Sequence, residues 1–219
     1  MNEIVKKHFQ HYNGSHEGEQ HCGIGSSMWY TVEIRKHLIP FLNKYGFRSM
    51  LDAPCGDFGW MSQLEFPSGF IYTGGDICDN LVARNSSMFP QHKFLHLDIT
   101  EDPLPEADLI FCRDCLFHLP SLYKIKFLKN FAKSSIPFIL TSHHPKITHN
   151  VEQREMGNVF QAINWNLEPW NFPDSIDEIY DYGDEKDDWR FSLSPYRVMK
   201  LWSQDQIIYA LSNLNQEID

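Results

Sequence analysis

Ser49-Met-Leu-Asp-Ala-Pro-Cys-Gly-Asp-Phe-Gly59 is an apolar run that breaks, behind an aspartate, into a turn of small residues. Two downstream runs end the same way, Phe70-Ile-Tyr-Thr-Gly-Gly-Asp76 and Lys93-Phe-Leu-His-Leu-Asp98. Short apolar runs bounded by Gly and Pro read as buried strands. Three successive strands, each closed by a carboxylate at its C-terminal end, would line one crevice with hydrogen-bond acceptors. In an open α/β sheet that crevice is where ligands bind.

Outward from this stretch, strands and helices alternate. Trp29–Tyr45 carries Val32, Ile34, Leu38, Ile39 and Leu42 at helical spacing, with Pro40 expected to bend or divide the helix and Gly46 to stop it. Phe47–Ala53 is the first expected strand and Gly59–Leu64 a short helix. Phe70–Asp76, His92–Asp98, Ala107–Cys112 and Pro137–Ser142 are the next four strands, with a helix over Asn80–Met88. Ser121–Ser134 sets Leu122, Ile125, Leu128 and Phe131 on one helical face and Lys124, Lys126, Lys129 and Lys133 on the wet side. Tyr196–Trp202 reads as one more strand and Asp205–Leu214 as a closing helix. This alternation predicts right-handed βαβ units in a doubly wound, mostly parallel α/β sheet. Residues 145–190 break the rhythm with Trp165, Trp170, Phe172, Tyr180, Tyr182 and Trp189, and read as a structured aromatic insertion after the fifth strand.

The 219 residues suit one generous domain. Acidic residues outnumber basic ones 29 to 19, a formal net charge of −10. No basic stripe of the kind a phosphate backbone requires is visible, so nucleic acid is not an expected partner. Five cysteines (Cys22, Cys55, Cys78, Cys112 and Cys115) make an odd count, and the Cys112/Cys115 pair has no second pair to complete a zinc site. Free thiols in a reducing compartment are expected. The N-terminus lacks the apolar core of a signal peptide, and no run approaches the roughly 20 apolar residues that span a bilayer. The expectation is a cytoplasmic protein with no membrane partner. His8, His11, His16 and His21 fit no zinc spacing and read as solvated surface, and no metal site is assigned.

Neither the GxxxxGK[ST] nor the GxGxxG phosphate-binding turn is present. What remains is hydrophobic-hydrophobic-Asp-x-x-Cys-Gly-x-x-Gly, then Gly74-Gly-Asp-Ile77, Leu97-Asp-Ile99 and Asp108-Leu-Ile-Phe-Cys-Arg-Asp-Cys-Leu-Phe-His-Leu-Pro120. In this order the chain resembles the class I S-adenosylmethionine-dependent methyltransferases over about residues 45–145, in particular small-molecule or sugar-type members. A fainter echo lies in Ile163–Pro173. The chain departs from the family at Pro54, where members usually have glycine, and lacks a further glycine near Phe58.

The resemblance implies a seven-stranded Rossmann-like sheet and S-adenosylmethionine as cofactor. It implies a single methyltransferase domain: an N-terminal cover and helix over 1–45, a cofactor-binding core over 46–144, a substrate-pocket insertion over 145–190 and a closing strand and helix over 191–219. Carried over by position, Asp52 organises the first turn and faces the cofactor's ammonium. Ala53, Pro54 and Gly56 line the cofactor turn, Gly56 leaving bare backbone for the amino-acid end. Asp76 accepts from the ribose hydroxyls, and Asp98 from the adenine amine between Ile77 and Ile99. Arg113 borders both cofactor and acceptor. Read from the residues alone, each aspartate equally ends a strand or caps the next helix.

His118 is the candidate general base for methyl transfer to a hydroxyl, with Asp114 at the same mouth. A purely structural His118 is the alternative. Arg113 would hold a carboxylate or phosphate of the acceptor, or pair with a neighbouring acid. Trp29, Tyr30, His143 and His144 are the further substrate-binding candidates. Gly23–Tyr30 either folds over the cofactor or starts a helix capped by Ser26 or Ser27. The expected function is O-methylation of a small polar acceptor such as a sugar, glycan precursor or phosphorylated metabolite. The alternatives are a catalytically silent relative acting as a partner protein, and a metal-dependent hydrolase built on the histidines.

Overall fold

The computed structural model describes residues 22–152, 160–183 and 196–214, so the N-terminal histidine series and Trp189 lie outside the described residues. The chain runs through α1 (Val32–Tyr45), β1 (Ser49–Asp52), β2 (Ile71–Asp76), α2 (Asp79–Met88), β3 (Lys93–His96), β4 (Leu109–Cys112) and α3 (Ser121–Lys133). It continues through β5 (Phe138–His143), β6 (Asp177–Tyr182), β7 (Arg197–Ser203) and α4 (Gln204–Asn213). Single 3-10 turns form at Ile24–Ser26, Met61–Gln63 and Leu116–His118.

The strands form one sheet in the order β3-β2-β1-β4-β5-β7-β6. The first five pair in parallel, whereas β7 runs antiparallel to both β5 and β6, so the sheet is mixed. Side chains alternate across it as a pleat requires. Leu51, Ile110, Cys112 and Ile139 pack with Phe127, Leu128 and Phe131 of α3 and Ile207 of α4. Met50, Leu109, Phe111 and Leu140 pack with Ile34, Leu38, Phe41 and Leu42 of α1. Both faces are covered, which is why the central strands read as continuous apolar runs. The direction of winding reverses between β1 and β4, and the crevice of a doubly wound sheet opens at such a reversal.

Three expectations need correction. α1 runs unbroken through Pro40, because Leu38, Phe41 and Leu42 on either side are buried against the sheet and hold the helix together. The dry face of α3 is rotated from the expected one: Leu122 is exposed and Lys124 is buried. Trp170 folds over the Lys124 stem, 5.9 Å from ring centroid to ammonium, and burial lowers that ammonium to about 8. Finally, β6 falls within 145–190, a stretch read as insertion. Asp177-Glu-Ile-Tyr-Asp-Tyr182 is an edge strand whose alternation is concealed by an aspartate, Asp181, at a fully buried position.

Candidate active site

Strand ends at the reversal carry the polar groups. Asp52 closes β1, and Tyr72 Oη of β2 donates to its Oδ2 at 2.6 Å. The chain then turns through a cis Ala53–Pro54 peptide to Gly56, whose φ of 56° lies in the left-handed region. A side chain at Gly56 would be strained and would also meet Cys22 Sγ at 2.9 Å. Cys22, rather than open space, therefore lies against this glycine. Gly56 N–H donates to Asp76 Oδ2 at 3.0 Å, and Cys78 N–H donates to Asp76 Oδ1 at 2.9 Å. One carboxylate thus ties together the turns that follow β1 and β2. Asn85 Nδ2 donates to the Gly56 carbonyl at 2.8 Å, while its buried Oδ1 has no partner.

Asp98 follows β3 and is equally an organiser, its Oδ1 accepting from Thr100 N–H at 3.0 Å and Thr100 Oγ1 at 2.7 Å. Ile99 is buried beside it, and Ile77 is half-buried. Asp76 and Asp98 do cap turns, as their residue types alone suggested, whereas Asp52 ends its strand and receives the Tyr72 hydroxyl.

Burial lifts Asp52 to about 7; the Tyr72 hydrogen bond opposes the shift and the nearby Asp76 adds to it. The folded protein therefore holds a proton there that the unfolded chain has released, and stability falls as pH rises from about 4 to about 7. Relative to Asp52→Asn, which keeps an acceptor for Tyr72, the wild type should lose stability between pH 5 and pH 8. Denaturant unfolding of both proteins at the two pH values checks this, and parallel curves would refute it.

Beyond β4 lies a buried ionic group that joins four segments. Arg113 Nε donates to Asp181 Oδ1 at 3.0 Å, and Arg197 Nε donates to Asp181 Oδ2 at 2.6 Å. Arg197 Nη1 donates to Asp114 Oδ1 at 2.7 Å, and Arg113 Nη1 to the Gly25 carbonyl at 2.9 Å. Asp114 sits at a left-handed φ of 58°, with its N–H donating to Ser142 Oγ at 3.1 Å. Although burial opposes ionisation, the Arg197 and Arg113 guanidiniums hold Asp114 down to about 2. At neutral pH it is an ion-pair partner and a poor proton acceptor.

The segment from Cys22 to Thr31 lies over these turns. Gly25 packs so closely on Asp114 that a Cβ there would fall 1.9 Å from Oδ2. Tyr30 is buried and stacks on Tyr182 at 3.6 Å between centroids, and Trp29, largely exposed, meets the edge of Tyr182. Ser27 accepts from Tyr30 N–H within this segment, and neither Ser26 nor Ser27 caps α1, whose N-cap is Thr31.

His118 ends the 3-10 turn after β4 and is half-buried, its ring 6.4 Å from Phe160. His144 shares Phe160 and Phe117 as ring neighbours, so the structure brings it beside His118. His143 instead packs on Trp202, as alternation along an extended segment requires. Its Nδ1 accepts from Trp165 N–H, which makes it a core residue and not an acceptor contact. Burial, reinforced by Lys200 for His143 and Arg197 for His144, pulls the two imidazoles down to about 2 and about 3, so both are neutral. Among the described residues no group of three His, Cys, Asp or Glu side chains is arranged to hold a metal ion, and no helix is long and apolar enough to cross a membrane.

Sequence reasoning missed Asp181 and Arg197. The available signal was a charged residue at an inward position of each strand, which is expensive unless it is paired. No protein-family model matches the chain, and no curated protein matches it. Solved structures do. The methyltransferase domain of bacterial CtHen1-C is 13% identical with a TM-score of 0.58, covering 78% of this chain and 96% of that one. Magnesium protoporphyrin IX methyltransferase (ChlM) from Synechocystis PCC 6803, solved with bound S-adenosylmethionine, is 13% identical with a TM-score of 0.55, covering 91% and 95%. The chain has the fold of the S-adenosylmethionine-dependent methyltransferases. It spans 33% of human N-acetylserotonin methyltransferase, at 24% identity over 50% of its own length and a TM-score of 0.41. The methyltransferase fold is thus matched over most of the chain, while these neighbours single out no sugar-type acceptor.

Proposed function

We propose that the protein is an S-adenosylmethionine-dependent methyltransferase that methylates a hydroxyl of a small polar acceptor. The observation that carries this reading is Asp76, which ends β2 beside the winding reversal and clamps the Gly56 turn. Its Oδ2 accepts from Gly56 N–H and its Oδ1 from Cys78 N–H, the Ile77 backbone also acts on it, and a carboxylate offers about four acceptor sites, so room remains for a ribose hydroxyl. The free acceptor capacity therefore suits a nucleoside ribose. Asp52 at the β1 end suits an ammonium, whose arrival would favour its ionised form, and Asp98 with Ile77 and Ile99 suits an adenine. The cofactor would supply a methyl group made electrophilic by its sulfonium.

The chain's own residues would do the rest. Arg113, Tyr30 and the segment over them would hold the acceptor and exclude water; His118 would take the hydroxyl proton onto a ring nitrogen as oxygen attacks. Orientation of the two reactants alone can contribute on the order of 7–11 kcal/mol. Sugars, glycan precursors and other oxygen-rich metabolites are the acceptor classes we propose.

Calorimetry with S-adenosylhomocysteine tests the reading. The wild type should bind, and Asp76→Ala should bind more weakly by about 1.5–3 kcal/mol, the range for hydrogen bonds to a charged group. Asp76→Asn should fall between, because it keeps one acceptor oxygen. Absence of binding by the wild type would overturn the assignment.

A further inference from the structure

Three N–H donors in the ionic group remain without a partner. Arg113 Nη2, Arg197 Nη2 and His144 Nε2 are all buried, and none makes a hydrogen bond. His144 Nδ1 lies 3.0 Å from Ile163 N–H and 3.3 Å from the Ile163 carbonyl, which already accepts from the His144 backbone N–H at 2.8 Å; the shorter contact assigns the ring proton to Nε2 and makes that atom a donor. Arg197 links the other two, sharing the Tyr30 ring with Arg113 and the Phe117 ring with His144. Arg113 and Arg197 stand 6.0 and 5.5 Å from the Tyr30 centroid. Arg197 and the His144 ring stand 5.6 and 5.4 Å from Phe117, whose neighbour in sequence is His118. A buried donor without an acceptor is costly to a fold, and three linked through Arg197 call for an acceptor group.

We propose that the acceptor carries a carboxylate, held by Arg113, Arg197 and His144 beside His118. This rests on the methyltransferase reading for the word acceptor, although the anion site itself does not. The choice of a monoanion follows from charge. Asp114 and Asp181 already offset the two guanidinium charges, so the group offers hydrogen bonds with little net positive field. A single delocalised charge adds one negative charge to this balanced group and can share it over planar guanidinium edges, whereas a dianion would add two to a protein of net charge −10.

The test uses the full chain saturated with S-adenosylhomocysteine and follows its NMR spectrum while acetate, acetamide or inorganic phosphate is added at constant ionic strength. Acetate should bind saturably and acetamide should not. His144→Asn keeps an oxygen for Ile163 N–H but removes the Nε2 donor, and Arg197→Lys keeps the charge but puts one ammonium in place of the three guanidinium nitrogens, so that the Nη2 donor is lost. Each should weaken acetate roughly tenfold or more while leaving S-adenosylhomocysteine affinity unchanged. If Arg197→Lys does not fold, His144→Asn decides by itself. Acetate binding no better than acetamide, or unchanged in the variants, overturns the site; tighter binding of phosphate overturns the carboxylate. Failure of S-adenosylhomocysteine to bind would refute the methyltransferase reading separately, since the acetate titration runs equally well without it.

Discussion

Asp181→Ala is expected to destabilise the protein by about 3–5 kcal/mol, the usual consequence of removing one partner from a buried ion pair. Asp181 is fully buried and is the acceptor shared by Arg113 and Arg197, which approach it from β4 and β7. Its loss strands two guanidiniums in the interior, and Asp114, 2.7 Å from Arg197 Nη1 and 3.9 Å from Arg113 Nη1, can compensate only in part. Denaturant unfolding gives the value, and salt should change it little because the charges are shielded from solvent. Adding Arg197→Met to Asp181→Ala should recover part of the loss, since the second substitution removes an unpaired charge. A loss below about 1 kcal/mol would mean that water or Asp114 replaces Asp181, and the ionic group would no longer count as structural.

His118→Ala is expected to lower turnover about 100- to 10,000-fold while leaving S-adenosylhomocysteine affinity nearly unchanged, the usual contribution of a general base. The structure sharpens this expectation by removing competitors. Asp114 is held near 2 by its two arginines, and His143 and His144 are neutral groups fixed through their Nδ1 atoms. Asp114→Asn should therefore act through Arg197, raising KM more than it lowers kcat. Single-turnover rates with any acceptor that reacts separate the two effects. Full activity in His118→Ala would mean that the hydroxyl proton leaves to water.

The methyltransferase-type core was legible because its signals are local. Each of β1, β2, β4 and β5 is an apolar run bounded by turn residues, and the order of its carboxylates, Asp52, Asp76 and Asp98, follows the chain. Gly56 was expected to leave bare backbone for a cofactor; the structure adds that its φ is left-handed and that Cys22 lies against it. Lys124 was misjudged because helical spacing gives only the angle between side chains, while Trp170, which closes over it, comes from a different part of the chain. β6 was missed for the same kind of reason. Its inward residue is an aspartate, and only its partners reveal that this position is interior.

Residue order by itself determined β1 to β5, β7 and the carboxylates that close the first three, because apolar runs and the turn residues that bound them depend on neighbours a few positions apart. The tertiary structure alone decided which charges meet. Asp181 finds Arg197 across 16 residues, Arg113 across 68, and Asp114 finds Arg197 across 83. Those pairings depend on β7 entering antiparallel between β5 and β6, and buried charges are stable only where such long-range packing delivers their partners.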